Sequence, residues 1–131
     1  MQIRALFPSI GVAAVISLGV TIGAAQAAPL PSGCTLTVQV PYVSSTVIKG
    51  SSGASCLSNS TTRTLYGELW HDYNFVPDVR VVRAGDTGKK TSYRASYSVC
   101  DNGGTTTYYT KGLFAGYTYY LDSAKATVAH C

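Results

Sequence analysis

The sequence predicts an all-β fold, a small antiparallel β-sandwich or barrel of about seven to eight strands with two disulfides. Three observations support this prediction. Residues 28–131 contain 26 serines and threonines, ten valines and ten tyrosines but no methionine, and β-branched and aromatic residues favour strands over helices. Turn-forming residues recur about every ten residues, a spacing typical of sandwiches and barrels. Four cysteines in so short a domain indicate a core stabilised by disulfides.

The first 27 residues are predicted to be a secretory signal peptide. Arg4 precedes an apolar run from Ile10 to Ala25, and small residues at positions 25 and 27 form a cleavage site. The run is too short to cross a bilayer well and no second run follows, so no helical membrane anchor is expected. Residues 28–131 are therefore expected to form a single secreted β-domain, whose formal net charge falls from +4 to +3 without Arg4.

The four cysteines are expected to form two disulfides, because the export route is oxidising. Three pairings are compatible with the sequence, and we expect the sequential one, which joins Cys34 to Cys56 and Cys100 to Cys131. Each bond would stabilise the fold by about 3 to 4 kcal/mol through chain entropy. The cysteines are 22, 44 and 31 residues apart and include no Cys-x-x-Cys pair, so no zinc site is expected.

Alternation of apolar and polar residues predicts the first strands. The clearest strand runs from Cys34 to Val40, and Tyr42–Ile48 continues as a short strand after Pro41. The glycines and serines of Lys49–Ser60 predict a loop. Thr61–Tyr73 is expected to form a longer strand, with a bulge at Gly67.

The second half of the domain contains the remaining predicted strands. Val79–Arg83 and Thr91–Cys100 are expected to pair as a hairpin around a loop at Ala84–Lys90. Asn102 and Gly103 lie in the strongest turn signal of the chain, because both residue types tolerate positive φ. The last predicted strands are Thr105–Lys111, Leu113–Leu121 and Ala126–Cys131.

Charge and composition exclude several classes of function. The basic residues are dispersed, so neither a nucleic-acid tract nor a membrane-binding tract is expected. With two histidines and no carboxylate cluster, no metal site and no cofactor are expected. His71, Glu68 and one of Arg80 or Arg83 resemble the residue types used by small secreted ribonucleases. On a regular strand, however, Glu68 and His71 point to opposite faces, which argues against an acid-base site.

Tyrosines are the most informative feature, because seven of the ten lie in the last 40 residues. Adjacent tyrosines on a strand point to opposite faces, so part of this aromatic surface must face outward. Rigid aromatic side chains among hydroxyls and cations are typical of protein interfaces. The candidate binding residues are Trp70, Tyr108, Tyr109, Lys111, Tyr119 and Tyr120.

The function that these features favour is a secreted, non-catalytic binding domain that uses a tyrosine-rich β-face, as an inhibitor of or binder to an extracellular protein such as a hydrolase. A carbohydrate-binding module is the second hypothesis, because tyrosines also stack on sugar rings. A small secreted hydrolase or ribonuclease is a distant third. The expected partner is accordingly an extracellular protein or, under the second hypothesis, a polysaccharide.

Overall fold

Nine strands in two antiparallel sheets make up the part of the chain that the structure describes, which confirms the all-β, sandwich-like prediction. The computed structural model describes residues 29–101 and 104–131, and these ranges contain no helix. In chain order the strands are β1 Cys34–Val38, β2 Tyr42–Ser44, β3 Val47–Cys56, β4 Arg63–His71, β5 Val79–Gly88, β6 Ser92–Val99, β7 Gly104–Phe114, β8 Tyr120–Asp122 and β9 Ala126–His130.

Strands β4 and β7 lie at the centre of the five-stranded sheet, whose order is β9, β7, β4, β5. The short strand β8 pairs with β7 beyond the segment that pairs with β9. In this register Glu68 of β4 pairs with Arg83 of β5 on one side and with Lys111 of β7 on the other. The register between β4 and β5 shifts between Leu69 and Trp70. The sheet thus brings residues from distant parts of the chain into adjacent rows.

Strand β3 is the centre of the four-stranded sheet. It pairs with β1 and β2 along one edge and with β6 along the other. Ser45 and Thr46 connect β2 to β3 and have φ angles of 52° and 68°, as two-residue hairpin turns require.

The inward side chains of both sheets form two hydrophobic clusters separated by small residues. Where the sheets approach each other, a Cβ on Gly67 would lie 2.5 Å from the carbonyl oxygen of Ala95, and one on Gly112 would lie 2.9 Å from Cβ of Ser52. The Ser52 hydroxyl donates to the carbonyl oxygen of Tyr66 across this gap at 2.8 Å. One cluster contains Cys34, Ala54, Cys56, Leu65, Tyr93, Ala95 and Phe114, and the other contains Ile48, Leu69, Tyr97 and Tyr108.

Close packing of the sheets explains why the predicted loop at Lys49–Ser60 is wrong for residues 49–56, which belong to β3. Gly50 and Ser52 point inward, where larger side chains do not fit. A Cβ on Gly50 would lie 2.2 Å from the hydroxyl oxygen of Tyr97. Residues that usually form turns are used here for their small size.

The predicted hairpin between Val79–Arg83 and Thr91–Cys100 is also wrong. Strand β5 pairs with β4 and β6 pairs with β3, so these consecutive strands belong to different sheets. Residues 85–88, predicted as a loop, continue β5 and pair with residues 63–66. The predicted bulge at Gly67 is not observed there, because the register shift lies two residues later, between Leu69 and Trp70.

Both predicted disulfides are present. The Cys34–Cys56 bond joins β1 to β3 within one sheet, and the Cys100–Cys131 bond joins the chain after β6 to the chain after β9, linking the two sheets. Two disulfides are compatible with an extracellular protein. The predicted signal peptide, Asn102 and Gly103 lie outside the described residues. In the part of the chain that the structure describes, no helix is long and apolar enough to cross a membrane.

Candidate functional site

The outer face of the five-stranded sheet carries aromatic and charged side chains in adjacent rows. Because side chains alternate along a strand, Glu68 and Trp70 point away from the core that Leu69 enters. Trp70 pairs with Arg80 on β5 and with Tyr109 on β7. We call this surface the aromatic face; it consists of Tyr66, Glu68, Trp70, Arg80, Arg83, Tyr109, Lys111, Tyr120 and Asp122.

Glu68 lies at the centre of the aromatic face and is only 1% exposed. Its Oε2 accepts hydrogen bonds from Arg83 at 2.6 Å and from Arg80 at 3.2 Å, and its Oε1 accepts the indole N–H of Trp70 at 2.8 Å. The guanidinium of Arg83 also lies over the ring of Tyr66, 4.0 Å from its centroid. A buried carboxylate is costly unless charged donors compensate it. Glu68 therefore holds these three donors in fixed positions.

Lys111 is the second centre of the aromatic face. Its ammonium lies over the ring of Tyr120, 3.6 Å from the centroid, and 5.3 Å and 5.9 Å from the ring centroids of Trp70 and Tyr109. It also forms an ion pair with Asp122 at 3.2 Å. These cation–π contacts fix the rings and occupy one side of Tyr120. A sugar ring cannot stack on that side while Lys111 remains there.

Tyr109 connects the aromatic face to the loop between β4 and β5. Its hydroxyl donates to Oδ2 of Asp78 at 2.8 Å, and the backbone N–H of Tyr73 donates to Oδ1 at 3.1 Å. Both hydrogen bonds lower the pKa of Asp78, with the Tyr109 bond contributing most. Burial and the same hydrogen bond raise the pKa of Tyr109 above its ordinary value of 10.0. The loop and the face are thus held together by one carboxylate.

The loop at residues 72–78, which we call the anchor loop, projects an apolar tip. Phe75 is 97% exposed and Val76 is 59% exposed. The base is fixed by the backbone N–H of Asp72, which donates to the carbonyl oxygen of Thr107 at 2.9 Å. At the same point Lys125 forms an ion pair with Asp72 at 3.1 Å. A firmly held base therefore presents an apolar tip to solvent.

Four of the six predicted binding residues meet on the aromatic face: Trp70, Tyr109, Lys111 and Tyr120. The other two do not join them. Tyr108 points inward and is fully buried in the core, because it neighbours the outward-facing Tyr109 on the same strand. Tyr119 is partly exposed and lies near the start of the described chain, where its backbone N–H donates to the carbonyl oxygen of Pro29 at 2.6 Å.

Sequence reasoning missed the tip of the anchor loop. Asn74–Asp78 falls between the predicted strands Thr61–Tyr73 and Val79–Arg83, and no role is predicted for its apolar residues. A signal was present, because Phe75 and Val76 stand between the turn formers Asn74 and Pro77 and a tight loop gives such side chains little access to a core. The sequence also does not predict that Glu68 contacts both Arg80 and Arg83, because this contact depends on the register of the strands.

The residues considered for acid-base chemistry are separated by the sheet. Glu68 faces outward, whereas His71 stacks on Tyr73 with ring centroids 3.9 Å apart and meets the buried Tyr108 edge-on. Nδ1 of His71 is buried without a hydrogen-bond partner. Among residues 29–101 and 104–131, no group of three His, Cys, Asp or Glu side chains could hold a metal ion.

Comparison of the chain with protein-family models, with curated proteins and with solved structures gives no match. The chemistry of the aromatic face and of the anchor loop is therefore the basis for a functional proposal.

Proposed function

We propose that the chain is a secreted, non-catalytic domain that binds an extracellular protein through the aromatic face. The observation that carries this proposal is the fixing of aromatic and cationic side chains by Glu68 and Lys111, which leaves Arg80, Arg83 and Tyr120 partly exposed. Side chains that are already ordered lose little conformational entropy on binding. Tyr, Trp and Arg are also the residue types enriched in the energetic centres of protein interfaces.

A protein partner fits this surface better than a polysaccharide. Sugar-binding aromatic residues need an uncovered ring face, and one face each of Tyr120 and Tyr66 is already covered, by Lys111 and Arg83 respectively. The exposed groups include the guanidinium side chains of Arg80 and Arg83, which suit carboxylates and backbone carbonyls of a protein. Secretion is supported by the predicted signal peptide and by the two disulfides.

The experiment immobilises the secreted protein, captures binding proteins from the culture fluid of the producing organism and identifies them by mass spectrometry. Tyr120→Ala and Arg80→Ala are the test variants. The matched controls on the other sheet are Tyr42→Ala and Arg94→Ala, because both residues are exposed and lie far from the aromatic face.

The proposal expects one captured protein to be lost with each test variant and retained with each control, all variants having unchanged thermal melts. Its affinity is then measured by calorimetry with the purified protein. Retention of the chain on insoluble cellulose or chitin, abolished by Tyr120→Ala, would instead favour the carbohydrate-binding hypothesis. A captured protein that the test variants hold as well as the wild type would contradict the proposal.

A further inference from the structure

The tip of the anchor loop exposes more apolar surface than its surroundings require. Phe75 is the most exposed large hydrophobic residue in the described part of the chain, and Val76 and Val79 beside it are also exposed. Such a side chain gains nothing from folding, since it stays in water in the free protein. Transfer of an exposed aromatic ring into an apolar pocket is strongly favourable and is typical of interface anchors.

The anchor loop is held in one conformation at its base. Both oxygens of Asp78 accept hydrogen bonds, from the Tyr109 hydroxyl and from the backbone N–H of Tyr73. Tyr73 also stacks on His71, and Asp72 is bound to both Thr107 and Lys125. A loop that is fixed before binding loses little conformational entropy when a partner covers its tip.

In two ion pairs near the base of the anchor loop, the cation is the more exposed member. The Arg80 side chain is 44% exposed above the buried Glu68, and the Lys125 side chain is 60% exposed while its partner Asp72 is 17% exposed. At these two pairs a partner surface meets the cation first, whereas both carboxylate oxygens of Asp78 are already hydrogen-bonded within the protein. Acidic side chains on that surface would be complementary.

From these observations we infer that the anchor loop inserts Phe75 into an apolar pocket of the protein partner, and that acidic side chains border this pocket. The inference rests on the proposed function, because it names the part of the partner that the binding surface would engage. A membrane fits the loop less well. One phenylalanine and two valines bury too little apolar area for stable anchoring in lipid, whereas a single aromatic anchor is enough for a protein pocket.

The experiment replaces Phe75 with the photo-cross-linker p-benzoylphenylalanine in the full secreted protein. The control places the same cross-linker at Leu57, another highly exposed apolar residue, which follows β3 at the Cys34–Cys56 end of the sandwich. After irradiation in culture fluid, cross-linked peptides are mapped by mass spectrometry. Position 75 should label the protein captured by the wild type, on an apolar segment with neighbouring Asp or Glu residues, and position 57 should not.

The affinity of the captured protein gives the second readout. Phe75→Ala should weaken binding at least about thirtyfold, mainly through faster dissociation, whereas Leu57→Ala should change it less than about twofold. Unchanged binding by Phe75→Ala, with binding lost in Tyr120→Ala, would overturn the inference and leave the proposed function standing. Capture of no protein would contradict both.

Two other occupants are tested in parallel. Cross-linking of position 75 to a second copy of the chain, with a dimer in analytical ultracentrifugation, would overturn the inference. Phe75-dependent binding to vesicles of phosphatidylcholine and phosphatidylglycerol would overturn it in favour of a lipid surface.

Discussion

The outer faces of the two sheets differ in composition, although in both sheets they arise because successive side chains of a strand point alternately inward and outward. On the four-stranded sheet, rows such as Thr35, Ser55 and Ser92 are exposed, small and hydroxylated. We call this surface the hydroxyl face; it consists of Thr35, Thr37, Ser55, Ser92, Arg94 and Ser96. The aromatic face instead buries a carboxylate and covers rings with cations.

A β-sandwich accounts for the composition of the hydroxyl face but not for that of the aromatic face. A sandwich needs an outer surface that water can solvate, and serine and threonine on the hydroxyl face meet this requirement. Burying Glu68 under two arginines adds a desolvation cost and yields little net stability over apolar side chains. The fold therefore does not require the composition of the aromatic face, and this agrees with the binding role proposed for it.

The largest effect is expected when the charge at the centre of the aromatic face is removed. Glu68→Gln should lower the free energy of unfolding by about 2 kcal/mol, because Arg80 and Arg83 lose their counter-charge. A fully buried pair would cost about 3 to 5 kcal/mol, but both arginines are partly exposed and can rehydrate. Urea denaturation measures the change, and a loss below about 0.5 kcal/mol would contradict this description of the site.

Replacing Glu68 and both arginines together separates the role of the charged group in stability from its role in binding. A variant combining Glu68→Met, Arg80→Met and Arg83→Met should be within about 1 kcal/mol of wild-type stability, since apolar residues of similar volume often replace buried ion pairs at little cost. The same variant should lose the protein partner. Large destabilisation in urea would indicate that the network serves the fold instead.

A smaller loss of stability is expected when the charge of Lys111, the second centre of the aromatic face, is removed. Lys111→Met keeps the aliphatic stem but removes the ammonium from the rings of Tyr120 and Trp70, and should cost about 0.5 to 1 kcal/mol. Thermal unfolding measures this change. An unchanged melting temperature would show that the cation–π contacts do not hold the rings in place.

Acid should loosen the anchor loop by protonating Asp78. Because hydrogen bonds lower the pKa of Asp78 below its ordinary value of 3.8 in the folded state, the stability it contributes is complete above that value. It is lost as the pH falls through the lowered pKa. Amide exchange of Tyr73, corrected for its intrinsic rate, should lose protection in this range in the wild type. The change should be absent in Asp78→Asn, and equal pH dependence in both would contradict the role of Asp78.

The smallest effects are expected on the hydroxyl face. Thr37→Ser and Ser96→Ala should each change stability by less than about 0.5 kcal/mol, because both side chains are exposed. Urea denaturation and partner affinity are the readouts. Loss of partner binding in either variant would move the functional surface to this sheet.

Local patterns predict much of the fold but not which strands pair. The strand predicted at Thr91–Cys100 is present as β6, where Tyr93, Ala95, Tyr97 and Val99 pack inward, and the cysteine count predicts two disulfides. The glycines of β3 are misinterpreted, because a residue that permits a turn also permits close sheet packing. Only the strand pairing in the structure shows whether such a glycine lies in a turn or in a closely packed strand.

The residues of the candidate site are likewise only partly predictable from the sequence, because their positions depend on strand pairing and register. Alternation predicts that one of Tyr108 and Tyr109 faces outward, but not which one, since that depends on register. Trp70, Lys111 and Tyr120 lie far apart in sequence and meet only through the pairing of β4, β7 and β8. Phe75 was missed because periodicity has no meaning in a short loop.

The proposed partner should cover the aromatic face and leave the outer face of the four-stranded sheet exposed. Hydroxyl-radical footprinting of the free chain and of its complex with the captured protein tests it directly, because Tyr120 and Tyr42 are similarly exposed at 51% and 43%. Complex formation should protect Tyr120 and Phe75 from oxidation and leave Tyr42 unchanged. Protection of Tyr42, with Tyr120 and Phe75 oxidised as in the free chain, would contradict the claim.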